Sequence, residues 1–88
     1  MKMPKFVATW AATPAAVQQT MKELPQRADI GNGIRQYAHF FSGKGKMICV
    51  FEAPNETVIA AFLKDKAPGE LFPVDYEWDR ATAKFIQG

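Results

Sequence analysis

Only four residues, Ser42-Gly43-Lys44-Gly45, separate two runs rich in β-branched and aromatic side chains, residues 34–41 (IRQYAHFF) and 46–52 (KMICVFE). A link that short, with glycines to supply positive φ, joins two strands as an antiparallel hairpin. The rest of the chain has to be built around that hairpin. Upstream, residues 5–10 (KFVATW) read as a first strand. Thr13-Pro14 then opens a helix, with Thr as the cap and Pro at the first helical position. Val17, Met21 and Leu24 recur at i, i+4 and i+7 and mark its buried stripe. Pro25 ends it, because the residue before a proline is pushed out of the α region. Residues 25–33 (PQRADIGNG) form a loop.

Downstream, Asn55 caps a second helix, with Glu56 near its positive end and Lys64 and Lys66 near its negative end. Ile59, Phe62, Leu63 and the stem of Lys66 form its apolar stripe, and Ala67-Pro68-Gly69 stops it. Residues 72–78 (FPVDYEW), in which Val74, Tyr76 and Trp78 alternate with Asp75 and Glu77, read as a fourth strand. The order β-α-β-β-α-β predicts an α+β, ferredoxin-like sandwich: a four-stranded antiparallel sheet with two helices on one face. Residues 1–78 make up this single domain. Residues 79–88 are a C-terminal tail that covers either the sheet or a dimer partner.

A chain of 88 residues buries only about 60% of the surface its unfolded form exposes, so it gains from a staple such as a disulfide, a metal or association. Cys49 is the single cysteine, which excludes an internal disulfide and a cysteine-rich metal cage. Association is the staple that remains. The face count points the same way. In strand three Met47, Cys49 and Phe51 oppose Ile48 and Val50; in strand two Tyr37, His39 and Phe41 oppose Ile34, Ala38 and Phe40. Both faces are apolar, and two helices cover one. The expectation is a sheet-to-sheet homodimer of the dimeric α+β barrel kind, with Cys49, Phe41 and Phe51 on the face away from the helices.

The net charge is +2 and no basic run occurs, so no phosphate-binding stripe is expected. Residues 44–51 (KGKMICVF) stand where an RNA-recognition signature would, but Lys46 and Ile48 occupy the positions that need stacking aromatics. No nucleic-acid partner is expected. No segment reaches the roughly 18–20 apolar residues of a membrane span. The apolar run at 6–12 that follows the basic start is broken by Thr9, Thr13 and Pro14. No membrane association and a cytoplasmic location are the expectation. Asn55-Glu56-Thr57 matches a glycosylation acceptor, but Asn55 is needed as a helix cap.

The stretch Lys46-Met47-Ile48-Cys49-Val50-Phe51-Glu52-Ala53-Pro54-Asn55-Glu56 resembles small bacterial ferredoxin-like domains of unknown function described as nickel-responsive-protein-like. Their third strand reads Cys-Val-Tyr/Phe-Glu-Ala-Pro-Asp/Asn, followed directly by a helix, and Phe72-Pro73-Val74-Asp75 is similar to their last strand. The resemblance spans residues 34–74. It implies a ferredoxin-like fold and places a strand-two histidine at the position of Ala38. Here the histidine is His39, one residue later, and a one-residue offset in a regular strand turns a side chain to the opposite face.

Five side chains are candidates for a ligand site: Trp10, Tyr37, His39, Cys49 and Glu52. His39 is the only group that titrates near neutral pH and could act as acid, base or ligand. Cys49, across the hairpin from it, is either a nucleophile or a buried small hydrophobe. Glu52, beside the second helix cap, is a base, a cation ligand or a satisfied rim carboxylate. Trp10 and Tyr37 supply aromatic lining or ordinary core and interface. A metal needs three or four ligands, which this set does not provide, so neither metal nor cofactor is expected. The sequence reading is a small homodimeric binding module with an aromatic-lined pocket for a small ligand or, with the ligand set doubled across a dimer, a metal ion, and no catalytic residue is assigned. A cofactor-free dimeric α+β barrel enzyme, monooxygenase- or isomerase-like, and a pure protein-interaction domain are the alternatives.

Overall fold

A computed structural model describes residues 3–24, 26 and 28–87. The chain runs β1 (Lys5–Ala11), α1 (Pro14–Glu23), β2 (Arg35–Ser42), β3 (Lys46–Glu52), α2 (Glu56–Leu63), a 3₁₀ turn (Lys64–Lys66), β4 (Glu70–Pro73), β5 (Tyr76–Asp79) and β6 (Lys84–Gln87). The first four strands form one antiparallel sheet in the order β2-β3-β1-β4. The architecture is α+β, with two helices and a four-stranded antiparallel sheet, and is compatible with a ferredoxin-like fold.

Local chemistry sets the helix ends. The Thr13 hydroxyl accepts from the Ala16 amide at 3.1 Å, and Pro14 follows at the first helical position. Asn55 Oδ1 accepts from the Val58 amide at 2.9 Å, the cap the sequence predicts. Pro25, the expected helix breaker, lies outside the described residues. Val17 is buried on α1, but Met21 is exposed, so the predicted stripe holds only in part. On α2, Ile59 and Leu63 are buried and Phe62 packs at the edge of the core. Lys66 lies beyond the helix, in the 3₁₀ turn.

The core takes Phe6 and Ala8 from β1, Cys49 and Phe51 from β3, Ala53, Ile34, and Ile59 and Leu63 from α2. This corrects the sequence reading of β3. Met47, Cys49 and Phe51 do alternate with Ile48 and Val50, but Cys49 and Phe51 occupy the helix-covered face. Ile48 and Phe40, which oppose each other across the hairpin, are exposed on the second face. Alternation alone gives two sets of side chains and does not say which set meets the helices.

The predicted fourth strand is also corrected. Residues 70–73 pair with β1, and at Val74 the amide donates to the Lys5 carbonyl at 2.9 Å and pairing stops. Residues 76–79 then form a separate hairpin with 84–87. The supposed tail is therefore the second half of a β-hairpin. Its turn is held by Asp79, which accepts from the Ala81 amide at 3.3 Å and from the Thr82 hydroxyl at 2.8 Å.

Candidate functional site

A cleft of about 380 Å³ opens between α1, α2 and the helix-covered face of the sheet. Thr20, Glu23 and Leu24 at the end of α1 form one wall, and Phe62 with Lys66 forms the other. Gln36, His39, Cys49 and Phe51 make the sheet side, with Ile30 from the preceding loop.

A β-bulge puts His39 there. Gln36 pairs with Phe51 and Ala38 with Val50, so Tyr37 is an extra residue in β2. Gln36 and His39 consequently share the cleft face, and Tyr37 turns to the other. In a regular strand 36 and 38 would share a face; the bulge passes the place of 38 to 39. His39 therefore faces the cleft, on the side that residue 38 would take in a regular strand.

The imidazole is fixed from several sides. Its Nδ1 lies 2.8 Å from Cys49 Sγ. Phe41 stacks on it at 6.2 Å between centroids and 13°. Phe51 meets it edge-on at 6.2 Å and 85°, and Phe62 continues the aromatic chain against Phe51 at 6.1 Å. Burial pushes the Cys49 thiol up to about 11, so it remains protonated at neutral pH. Burial likewise lowers the His39 pKa and keeps the ring neutral. The thiol therefore donates to Nδ1 in one tautomer and accepts from Nδ1–H in the other. In either case the buried Nε2 has no hydrogen-bond partner among the described residues. An unmet polar atom of this kind costs roughly 1–3 kcal/mol.

Such a pair is a poor nucleophilic device, because the thiolate is the reactive species and burial disfavours it. It is a neutral, oriented patch at the inner side of an apolar cleft. Charge is confined to Lys66, whose Nζ lies 4.8 Å from the Phe62 ring centroid, and Glu23, which accepts from Gln19 at 2.8 Å. Among the described residues no three His, Cys, Asp or Glu side chains gather in a metal-binding group.

Of the five predicted site residues, the structure brings together His39 and Cys49. Trp10 packs against the core and donates its indole N–H to the Lys66 carbonyl at 2.7 Å, outside the cleft. Tyr37 lies on the second face, where its ring sits 4.7 Å from Lys5 Nζ and its hydroxyl donates to Glu77 at 3.2 Å. Glu52 pairs in register with Lys5 and Arg35 at the end of β3, away from the cleft. Gln36, Phe62 and Leu24 are among the lining residues that the sequence reading does not assign to a site. The helical spacing had already assigned Leu24 and Phe62 to a stripe, and a gap between two stripes is not visible in either one.

The state of His39 has a consequence for stability. Its ordinary pKa is 6.5, and burial sets the folded value below that. Between the two values the unfolded chain binds more protons, so stability is lost as pH falls below about 6.5. The urea midpoint is expected to fall between pH 7 and pH 5 by more in the wild type than in His39→Gln. Equal falls in both proteins would show that His39 does not titrate with folding.

No helix among the described residues is long and apolar enough to cross a membrane. No family model, no curated protein and no solved structure matches the chain.

Proposed function

We propose that this chain is a binding module on a ferredoxin-like fold, working as a homodimer, which holds a small apolar molecule in the cleft between α1, α2 and the sheet. The observation that carries the reading is His39. A neutral imidazole, locked by Cys49 and two phenylalanines, lines an apolar cleft of about 380 Å³ and has a nitrogen that the fold leaves unused. Ligand sites combine apolar walls with few oriented polar groups in this way, at volumes of about 300–1,000 Å³. The homodimer is supported by Phe40, Ile48 and Phe72, which stand exposed on the face the helices do not cover.

Titration of isotope-labelled protein with 1-naphthol, followed by amide chemical shifts, tests the cleft. Saturable shifts are expected at Gln36, His39, Phe51 and Phe62. Gln36→Trp, which fills the cleft from a half-buried position, should abolish them while the remaining spectrum stays folded. Unchanged spectra up to millimolar probe, or shifts confined to Phe40 and Ile48, would refute the ligand reading.

A further inference from the structure

The second face of the sheet is covered at one end only. There Glu77 of β5 reaches down to Lys5, with Oε1 2.9 Å from Nζ, and the Tyr37 hydroxyl donates to the same carboxylate. Lys5 is only 2% exposed. Burial by itself would lower its pKa, but the hydrogen bond and charge of Glu77, together with the charges of Tyr37 and Glu52, outweigh it and hold the ammonium above its ordinary 10.5. The hairpin is thus anchored over the Lys5 end of β1. Thr9 marks the other end, where it pairs with Ile48, which in turn pairs with Phe40. That end carries no such cover.

Strand alternation then fixes what the hairpin shows to water. Glu77 and its partner Ile86 are half-buried, facing the sheet. Tyr76, Trp78 and Phe85 point the other way and are 67%, 47% and 68% exposed. Trp78 and Phe85 are directly opposed across the strands and meet edge to face at 5.0 Å. A free two-stranded hairpin is marginal in water, yet this one carries its largest apolar side chains on its outer side.

We infer that the β5–β6 hairpin is a docking arm for a second copy of this chain. Its aromatic outer face seats on the Phe40–Ile48 end of the partner's sheet, and the partner's hairpin does the same in return. The inference rests on the homodimer reading and specifies how the two chains meet. Phe40, Ile48, Phe72, Tyr76, Trp78 and Phe85 are each more than 40% exposed. At roughly 150–250 Å² for a large aromatic side chain, they leave on the order of 600 Å² of apolar surface uncovered per chain. With the half-buried Val7 and Val50 beside them, that approaches the ~800 Å² each partner buries in a standard interface. One chain carries both surfaces. A two-fold axis therefore satisfies both at once, whereas a different partner would need to supply two unrelated ones.

Light scattering on the wild type, Phe85→Glu and Phe40→Glu tests this, with circular dichroism to confirm folding. Both side chains are mostly exposed in the single chain, so both variants should fold. Each is expected to raise the dimer dissociation constant at least about 30-fold, as loss of an interface hot spot does. The contact itself is read in mixed dimers. A spin label on Lys84→Cys, in a Cys49→Ala background, should broaden the amides of residues 40 and 48 in an isotope-labelled partner chain. A wild type that is monomeric at micromolar concentration, whether or not it binds phosphatidylcholine vesicles, overturns the homodimer and the arm together. A dimer that survives Phe85→Glu, or shows no broadening at 40 and 48, leaves the homodimer standing and overturns the arm.

Discussion

A Phe51→Glu chain should not fold. Phe51 is 3% exposed, sits on the helix-covered face of a central strand, and touches both His39 and Phe62 edge to face. Removing a buried phenylalanine costs about 3–5 kcal/mol. Placing a carboxylate there without a partner adds several more, or forces it to stay protonated. A domain of this size is stable by only about 4–13 kcal/mol. The substitution consumes most or all of that. Far-UV circular dichroism and proton NMR dispersion should report an unfolded or collapsed chain at 25 °C. Phe40→Glu is the control: it lies on the second face of the neighbouring strand and is 60% exposed, so the monomer should keep its dispersion. If Phe51→Glu gives a dispersed spectrum and a melting temperature near that of the wild type, the assignment of the β3 faces is wrong.

That contrast also shows what the sequence can and cannot convey. The β2–β3 hairpin, both N-caps and the alternation within β3 were legible, because each depends on residues adjacent in the chain. The choice of face was not. Both sets of β3 side chains are apolar, and the decision belongs to α1 and α2, which lie elsewhere in the sequence. The bulge at Tyr37 was invisible for a related reason. Gln36-Tyr37-Ala38 contains no turn residue; the irregularity comes with loop 28–34, which bonds along the outer edge of β2. Ala28 accepts from the Gln36 amide at 2.7 Å, Asp29 bridges Arg35, and the Ile30 amide donates to Ile34 at 3.1 Å. Since the bulge decides which side chains share a face with His39, the candidate site was the least legible part of the molecule. The break between Pro73 and Tyr76 was hidden because the alternation of Val74, Asp75, Tyr76, Glu77 and Trp78 runs through it. The turn at Asp79 and Thr82 did leave a trace, a short acidic side chain followed three residues later by a hydroxyl.

Gly45→Ala should cost about 3 kcal/mol, while Gly43→Ala should cost little. The sequence offers both glycines of Ser42-Gly43-Lys44-Gly45 as sources of positive φ, but the structure uses only one. Gly45 has φ of 112°, where an L side chain is strained. It is also buried against the end of β1, and a Cβ there would run into the Ala12 carbonyl oxygen. Gly43 has open space around its Cα and no positive φ. The left-handed conformation alone costs a substituted residue roughly 1–2 kcal/mol. Relieving the collision means moving the turn away from β1, which breaks the bond from the Ala12 amide to the Gly45 carbonyl, now 2.6 Å. That loss adds about 1 kcal/mol. It also loosens the point where β1 and β3 begin to pair, at Ala11 and Lys46. For a domain of this size, about 3 kcal/mol lowers the melting temperature by roughly 12–24 °C. Gly43→Ala should stay within a few degrees of the wild type, since the loss of unfolded-chain freedom offsets any small cost in the turn. Equal melting temperatures for the two variants would mean that the turn does not lean on β1 as the structure has it.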